Sequence, residues 1–181
     1  MASKHRVALI MLAVGVVGCA ARGAAPPATA STIHAEVYAA LVAHAFPSGR
    51  PDTILLEEKT VTYREIPEGN SLRRGKDVVP IPLPSRLTSL SAEPLPVRPE
   101  DFPAPVRLLP PTRARQLAAE RLGGTMVLAV TPIVFSNDSS QALVYYDGHC
   151  GALCGAGYEL WLVRSADGRW LLRQDMSHWR S

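Results

Sequence analysis

The chain of 181 residues has little excess charge and only a short apolar run. This run, residues 7–18, is too short to span a bilayer as a mature helix, which needs about 20 residues. Lys4 and Arg6 precede it, and without them the chain has 17 basic residues against 16 acidic ones. No basic patch interleaved with aromatic residues remains, so the composition gives nucleic-acid binding no support.

Motifs that would identify common enzyme classes are also missing from the sequence. No serine lies in a Gly-x-Ser-x-Gly elbow, and no histidine has a carboxylate at a spacing that would indicate a catalytic pair. Residues 155–157, Gly-Ala-Gly, lack the third glycine of a phosphate loop and open a strand instead of a helix. We therefore predict no catalytic residue, no cofactor and no metal ligand, and we favour a non-enzymatic protein.

What the sequence does contain at its start is an export signal. Basic residues precede the apolar run, which ends in Val-Val-Gly-Cys at residues 16–19. This resembles the signal of bacterial lipoproteins, and the resemblance implies that residues 1–18 are removed and that Cys19 is lipidated. The alternative is an ordinary signal peptide cut near Ala30, with Cys19 discarded. Under the first reading, the lipid anchors the protein stably in a membrane.

A flexible tether is expected to follow the anchor. Residues 19–31 are rich in Ala and Pro, and when extended they reach roughly 40 Å. Ala20 follows the cysteine, and no Asp does, which in Gram-negative bacteria resembles an outer-membrane address. We therefore predict a bacterial cell-envelope lipoprotein, anchored in the outer membrane and facing the periplasm.

The globular part is expected to be a single domain over residues 32–181. Apolar residues at helical spacing predict a helix over 33–45, and a β-branched run predicts a strand over 53–63. Residues 80–111 contain ten of the 16 prolines, which disfavours a long helix and a central strand. We predict that this segment crosses the surface in extended form, with a short helical piece near 85–90.

The second half of the domain reads as one helix followed by strands. We predict a helix over 112–122 and strands over 125–135, 141–147, 158–164 and 169–174. Helix first and meander last gives an α+β fold. In this fold an N-terminal helix packs on a mainly antiparallel sheet that ends in a C-terminal meander of about four strands.

The cysteines predict a disulfide. If Cys19 carries lipid, Cys150 and Cys154 form an even pair in an oxidising compartment. Their five-residue ring is worth about 2 kcal/mol of chain entropy, and the glycines around it permit a tight loop. Three alternatives stay open, namely a thiol-redox pair, a metal site with His149 and His178, and a reduced, inert pair.

All three tryptophans lie near the C-terminus, close to several tyrosines. We predict that they pack in the core and across strands. Alternation should place Tyr158, Leu160 and Leu162 on one face of the sheet, and Trp161 and Val163 on the other. An aromatic platform for a glycan or a peptide is the alternative.

The C-terminal quarter carries a second resemblance. It contains an Ala-Leu-Val-Tyr strand from Ala142, a Cys-Gly-x-x-Cys-Gly-x-Gly-Tyr loop from Cys150 and a final Trp-Arg-Ser from Trp179. In these features residues 133–181 resemble a family of uncharacterised bacterial exported proteins and lipoproteins. The resemblance implies an envelope location and a fold, and no activity. We expect a binding or structural module whose partner is an envelope protein or a cell-wall component; the alternative is a periplasmic enzyme or a thiol-redox factor.

Overall fold

The structure is a computed structural model, which describes residues 30–49, 51–62, 83–120, 126–151 and 154–180. Within them the fold is α+β, with three α-helices and seven strands, and the predicted class is confirmed. The helices are α1 (Ala30–Ala45), α2 (Leu83–Leu90) and α3 (Pro111–Ala119). The strands are β1 (Ile54–Glu57), β2 (Val106–Leu109), β3 (Val127–Val130), β4 (Val134–Phe135), β5 (Gln141–Gly151), β6 (Cys154–Arg164) and β7 (Trp170–Arg180).

All seven strands belong to one mixed sheet. Its order is β2-β1-β3-β5-β6-β7, and β4 pairs with β5. Strand β1 is parallel to both β2 and β3, whereas the C-terminal strands are antiparallel. The prediction of a mainly antiparallel sheet did not include the parallel pairs of β1 with β2 and with β3, and it missed β2 because it placed no strand in residues 80–111. Strand β2 contains no proline and lies between Pro105 and Pro110, so its backbone N–H groups can pair with β1.

The proline-rich segment has regular structure in its described part. Besides α2 and β2 it contains a short 3₁₀ helix, Pro99–Asp101. Leu87, Phe102 and Leu109 are buried, whereas Leu90 is 47% exposed and Leu95 is 45% exposed. Three large apolar side chains therefore hold the crossing against the domain.

Strands β5, β6 and β7 form a meander of three 11-residue strands. They are longer than predicted because the glycine-rich residues expected in a loop pair with one another. Gly148 lies opposite Ala156, and Asp147 lies opposite Gly157. Strand β7 carries two irregularities in its register with β6, one beside Tyr158 and one beside Leu162. The β5–β6 hairpin is paired as far as Gly151 and Cys154, with one irregularity between His149 and Gly151.

The two faces of the sheet carry different apolar clusters. The larger cluster contains Val37 and Leu41 of α1 together with Leu128, Val144 and other side chains from the strands. On the opposite face, Leu87 of α2 packs with Leu143 and Trp161, and Ala114 of α3 packs with Leu109 and Val127. Tyr158, Leu160 and Leu162 belong to the first face, and Trp161 and Val163 to the second, which confirms the predicted alternation.

Candidate functional site

A cleft of about 660 Å³ lies between the C-terminal end of α1 and the glycine-rich end of the β5–β6 hairpin. Its α1 wall is formed by Ala43, His44, Ala45 and Pro47. The opposite wall is formed by Met126, Tyr146, Gly148, Ala156 and Tyr158, with Cys150, Cys154 and Gly155 at the tip of the hairpin. Ligand pockets usually measure about 300–1,000 Å³ and combine apolar walls with a few polar groups. The cleft fits both criteria.

His44 connects α1 to strands β5 and β7 through both nitrogens of its ring. Its Nε2 lies 3.0 Å from Oδ2 of Asp175, and its Nδ1 lies 2.8 Å from the hydroxyl of Tyr146. A carboxylate only accepts hydrogen bonds, so the Nε2–H of a neutral ring donates to Asp175. Nδ1 then accepts the proton of the Tyr146 hydroxyl. The imidazole of His44 and the phenol of Tyr146 both line the cleft.

Two tyrosine rings form the aromatic part of the cleft. The rings of Tyr146 and Tyr158 stack with centroids 5.6 Å apart, and the His44 ring meets Tyr158 edge-on at 4.9 Å. The guanidinium of Arg180 lies 5.4 Å from the centroid of the Tyr158 ring. Burial, and then the neighbouring Tyr158 and Asp175, raise the pKa of Tyr146. Tyr146 therefore remains a protonated phenol at neutral pH.

Cys150 and Cys154 form a disulfide, which confirms the predicted pair. Their Cα atoms are 5.1 Å apart, inside the usual range of about 4.4–6.8 Å. Cys150 belongs to β5 and Cys154 to β6, and both line the cleft. The bond therefore joins the two strands at the rim of the cleft.

On the opposite face of the meander, Tyr145, Asp147 and Trp179 form a group that we call the polar cluster. The Tyr145 hydroxyl donates to Oδ1 of Asp147 over 2.6 Å, and the indole N–H of Trp179 donates to the same oxygen over 2.7 Å. Tyr145 is completely buried. Burial raises the pKa of Asp147 above its ordinary value, against the effect of the two hydrogen bonds.

Two glycines of β6 make room for the polar cluster. A Cβ atom at Gly157 would lie 2.6 Å from Oδ1 of Asp147, and closer still to the Tyr145 hydroxyl and the Trp179 indole. A Cβ atom at Gly155 would lie 2.8 Å from the edge of the Trp179 ring. The Gly-x-Gly of the hairpin and the tryptophan near the C-terminus, both part of the family resemblance, therefore pack against each other.

Three side chains that an enzyme could use, His149, Glu159 and His178, do not share an open pocket. His178 and Glu159 lie 3.0 Å apart, and their side chains are only 4% and 3% exposed. The ring of His149 stacks on Trp179 with centroids 4.9 Å apart. His149 also lines a cavity of about 140 Å³ with Glu57 and residues of α3. Glu159 and His178 therefore satisfy each other in the protein interior.

The metal alternative required two free thiolates close to His149 and His178. Both thiols are used by the disulfide between Cys150 and Cys154. In the part of the chain that the structure describes, no three His, Cys, Asp or Glu residues are arranged to hold a metal ion.

The cleft was not predicted from the sequence. The residues that are hydrogen-bonded beside it lie far apart in the sequence, since His44 is 102 positions from Tyr146 and 131 positions from Asp175. Only the topology brings α1 beside β5 and β7. The polar cluster had a partial signal, because Gly157 and Trp179 belong to the resemblance, but nothing there pointed to Asp147.

The lipid anchor and the start of the tether lie outside the described residues. Cys19 and residues 1–29 belong to this part of the chain, so the signal, the lipidation and the address stay predictions. Among the described residues, no helix combines the length and the apolarity needed to cross a membrane. Comparisons with protein-family models, curated proteins and solved structures found no match to the chain.

Proposed function

We propose that the protein is a bacterial lipoprotein, held in the cell envelope by lipid on Cys19, whose globular domain is a non-enzymatic binding module. The observation that carries the binding role is the cleft, whose described lining is mostly apolar and has three side chains with a polar group, His44, Tyr146 and Tyr158. The anchor and its outer-membrane address are supported by the sequence at residues 16–20. The partner on this proposal is a component of the envelope.

The proposal includes the packing of α1 on the sheet, because the end of this helix supplies one wall of the cleft. Val37 and Leu41 are fully buried and share a cluster with Leu128 of β3. The ring of Tyr38 stacks on Phe102 with centroids 4.3 Å apart. These contacts support a fixed position for α1 relative to the strands.

The position of the cysteines favours this function over thiol-redox chemistry. Reactive cysteines usually lie at a helix N-terminus, where the helix dipole lowers the pKa of the thiol. Cys150 and Cys154 lie instead on paired strands, and a clip between strands needs no low thiol pKa. We assign the disulfide a structural role at the rim of the cleft.

The binding role can be tested with a variant that fills the cleft. Ala156 is half-buried and lines the cleft, so Ala156→Phe should place a ring inside it. We expect the neutral dye N-phenyl-1-naphthylamine to gain fluorescence with the wild type and to lose most of that gain with Ala156→Phe. Ala119→Phe, on an exposed position of α3, is the matched control and should bind as the wild type does. Equal binding by all three proteins would contradict the assignment.

The anchor can be tested independently of the cleft. Cys19→Ser removes the thiol that would take the lipid, so the variant should move from the membrane pellet to the soluble fraction when envelopes are separated. Cys150→Ser leaves Cys19 intact and should stay in the pellet. A Cys19→Ser protein that remains in the pellet would show that lipid on this residue does not hold it there.

A further inference from the structure

The Tyr146 hydroxyl has one unused hydrogen-bonding position. With a neutral His44 ring, its proton is donated to Nδ1 of His44, because Asp175 accepts from the other ring nitrogen. Among the described residues the hydroxyl makes no second hydrogen bond. A phenol oxygen can also accept a hydrogen bond. The wall of the cleft therefore offers an acceptor.

A charged ligand would meet no charged carboxylate, ammonium or guanidinium in the described lining of this cleft, because the nearby Arg180 and Asp175 are not among the lining residues. The described residues that line it include no Asp, Glu, Lys or Arg. Moving a charged group from water into such surroundings without a partner is costly. The lining therefore selects for an uncharged molecule.

The walls of the cleft suit a flat ring. Gly148 and Ala156 lie opposite each other on β5 and β6 and leave the strand backbone close to the cleft. Beside them are the stacked rings of Tyr146 and Tyr158 and the thioether of Met126. Aromatic rings pack well on peptide planes, on other rings and on methionine sulfur. A glycan fits less well, because its many hydroxyls would share only three polar side chains in the described lining.

We infer that the cleft binds a flat, uncharged aromatic ligand that carries a hydrogen-bond donor, of the phenol or indole class, and that Tyr146 accepts this hydrogen bond. The inference rests on the proposed binding role of the cleft and names the chemistry of its ligand. Tyr146 is a specificity-determining residue on this account, and His44 and Asp175 position its hydroxyl.

Three naphthalene probes separate ring binding from donor recognition. 2-Naphthol carries a hydroxyl donor, 2-methoxynaphthalene has the same ring without a donor, and 2-naphthalenesulfonate adds a charge. Measured by isothermal titration calorimetry on the mature protein, 2-naphthol should bind about fivefold more tightly than 2-methoxynaphthalene, the effect of one hydrogen bond. The sulfonate should bind at least about tenfold more weakly than 2-naphthol, since no cationic Lys or Arg side chain is among the described residues that line the cleft.

Variants test whether Tyr146 is the acceptor. His44→Ala combined with Tyr146→Phe removes the proposed acceptor and the imidazole beside it, so the preference for 2-naphthol over 2-methoxynaphthalene should fall to about one. Tyr158→Phe keeps the ring and removes the other tyrosine hydroxyl of the cleft, and it should retain the preference. Unfolding curves recorded on the same samples establish that each variant is folded.

The outcomes distinguish this inference from the binding role on which it rests. If both neutral probes bind equally and Ala156→Phe abolishes both, the cleft binds ligands and the donor preference is wrong. If neither probe binds, or if binding survives Ala156→Phe, the binding role of the cleft fails as well. If Tyr158→Phe abolishes the preference and the His44/Tyr146 double variant keeps it, the acceptor is misassigned.

Discussion

On one face of the β5–β6 hairpin, Tyr145 and Asp147 are closed in by Trp179, whereas on the other face Tyr146 and Gly148 border an open cleft. The alternation of the strand sends adjacent residues to opposite sides. On the polar-cluster side, the tryptophan near the C-terminus lies over Gly155 and Gly157. On the cleft side, α1 ends beside the hairpin and leaves a space of about 660 Å³.

Buried polar groups do not by themselves mark a functional site. The polar cluster has hydrogen-bonded groups and a carboxyl whose pKa is raised by burial, yet its groups are occupied with one another. In the cleft, by contrast, the Tyr146 hydroxyl has an acceptor position to spare. We therefore expect changes at the polar cluster to alter stability, and changes at the cleft to alter binding.

The largest loss of stability is expected from Gly157→Ala. The added methyl group would overlap the polar cluster, so Asp147, Tyr145 or Trp179 must move and hydrogen bonds must break. We expect the free energy of unfolding in denaturant to fall by about 3 kcal/mol.

A second background tests the cause of this loss. Tyr145→Phe removes one of the groups that the methyl group would meet, so Gly157→Ala should cost less in that background than in the wild type. An equal cost in the two backgrounds would mean that overlap with the Tyr145 hydroxyl is not part of the effect.

The disulfide is expected to give the next largest effect. Replacing both Cys150 and Cys154 by Ser should lower the free energy of unfolding by about 2 kcal/mol, because the five-residue ring no longer restricts the unfolded chain. Adding reductant should lower the free energy of unfolding of the wild type by a similar amount and leave that of the double variant unchanged. A wild type whose unfolding midpoint ignores the reductant, while its thiols become free, would argue against a structural clip.

A smaller effect, confined to acid pH, is expected from Asp147→Asn. Burial raises the pKa of Asp147 in the folded state, so the folded protein binds this proton before the unfolded chain does. The wild type therefore gains stability from this group as the pH falls from neutral through the folded pKa towards about 3.8, where the unfolded chain also titrates. Asparagine cannot titrate, so the stability of the variant relative to the wild type should decrease over this range.

Asp138→Asn is the control with the opposite sign. Hydrogen bonds from Ser136 and Ser140 lower the pKa of Asp138 to about 2. The stability that this carboxylate supplies is lost as the pH falls from about 3.8 towards 2, and the variant lacks that loss. Relative to the wild type, its stability should therefore rise with acid. The same trend in both variants, measured by denaturant unfolding at each pH, would rule out burial as the cause at Asp147.

Much of the fold follows from local patterns, and the missing parts depend on distant pairing. Glycines, prolines and apolar spacing indicated the helices α1 and α3 and the strands of the meander. Strand β2 was missed because a four-residue strand between prolines has no periodicity of its own. The glycine-rich residues were read as a loop because glycine permits a turn, but here it permits close packing of Trp179 on β6.

The disulfide and the hydrogen-bonded residues beside the cleft differ in how far the sequence could reveal them. Cys150 and Cys154 are four residues apart and were predictable as a pair. The chain from Asp175 through His44 to Tyr146 depends on the contact of α1 with β5 and β7, and a single sequence contains no trace of that contact. The sequence therefore does not mark His44 as part of a site, although its side chain is only 19% exposed.

The histidine rings report on both faces in one experiment. His44 lies at the cleft, whereas His149 contacts the polar cluster on the opposite face through Trp179 and His178 does so through Tyr145. We expect NMR spectra of the imidazole groups, recorded during a titration with 2-naphthol, to show shifts at His44 and none at His149 or His178. Shifts at His149 or His178 with none at His44 would contradict the assignment of the open face as the binding site.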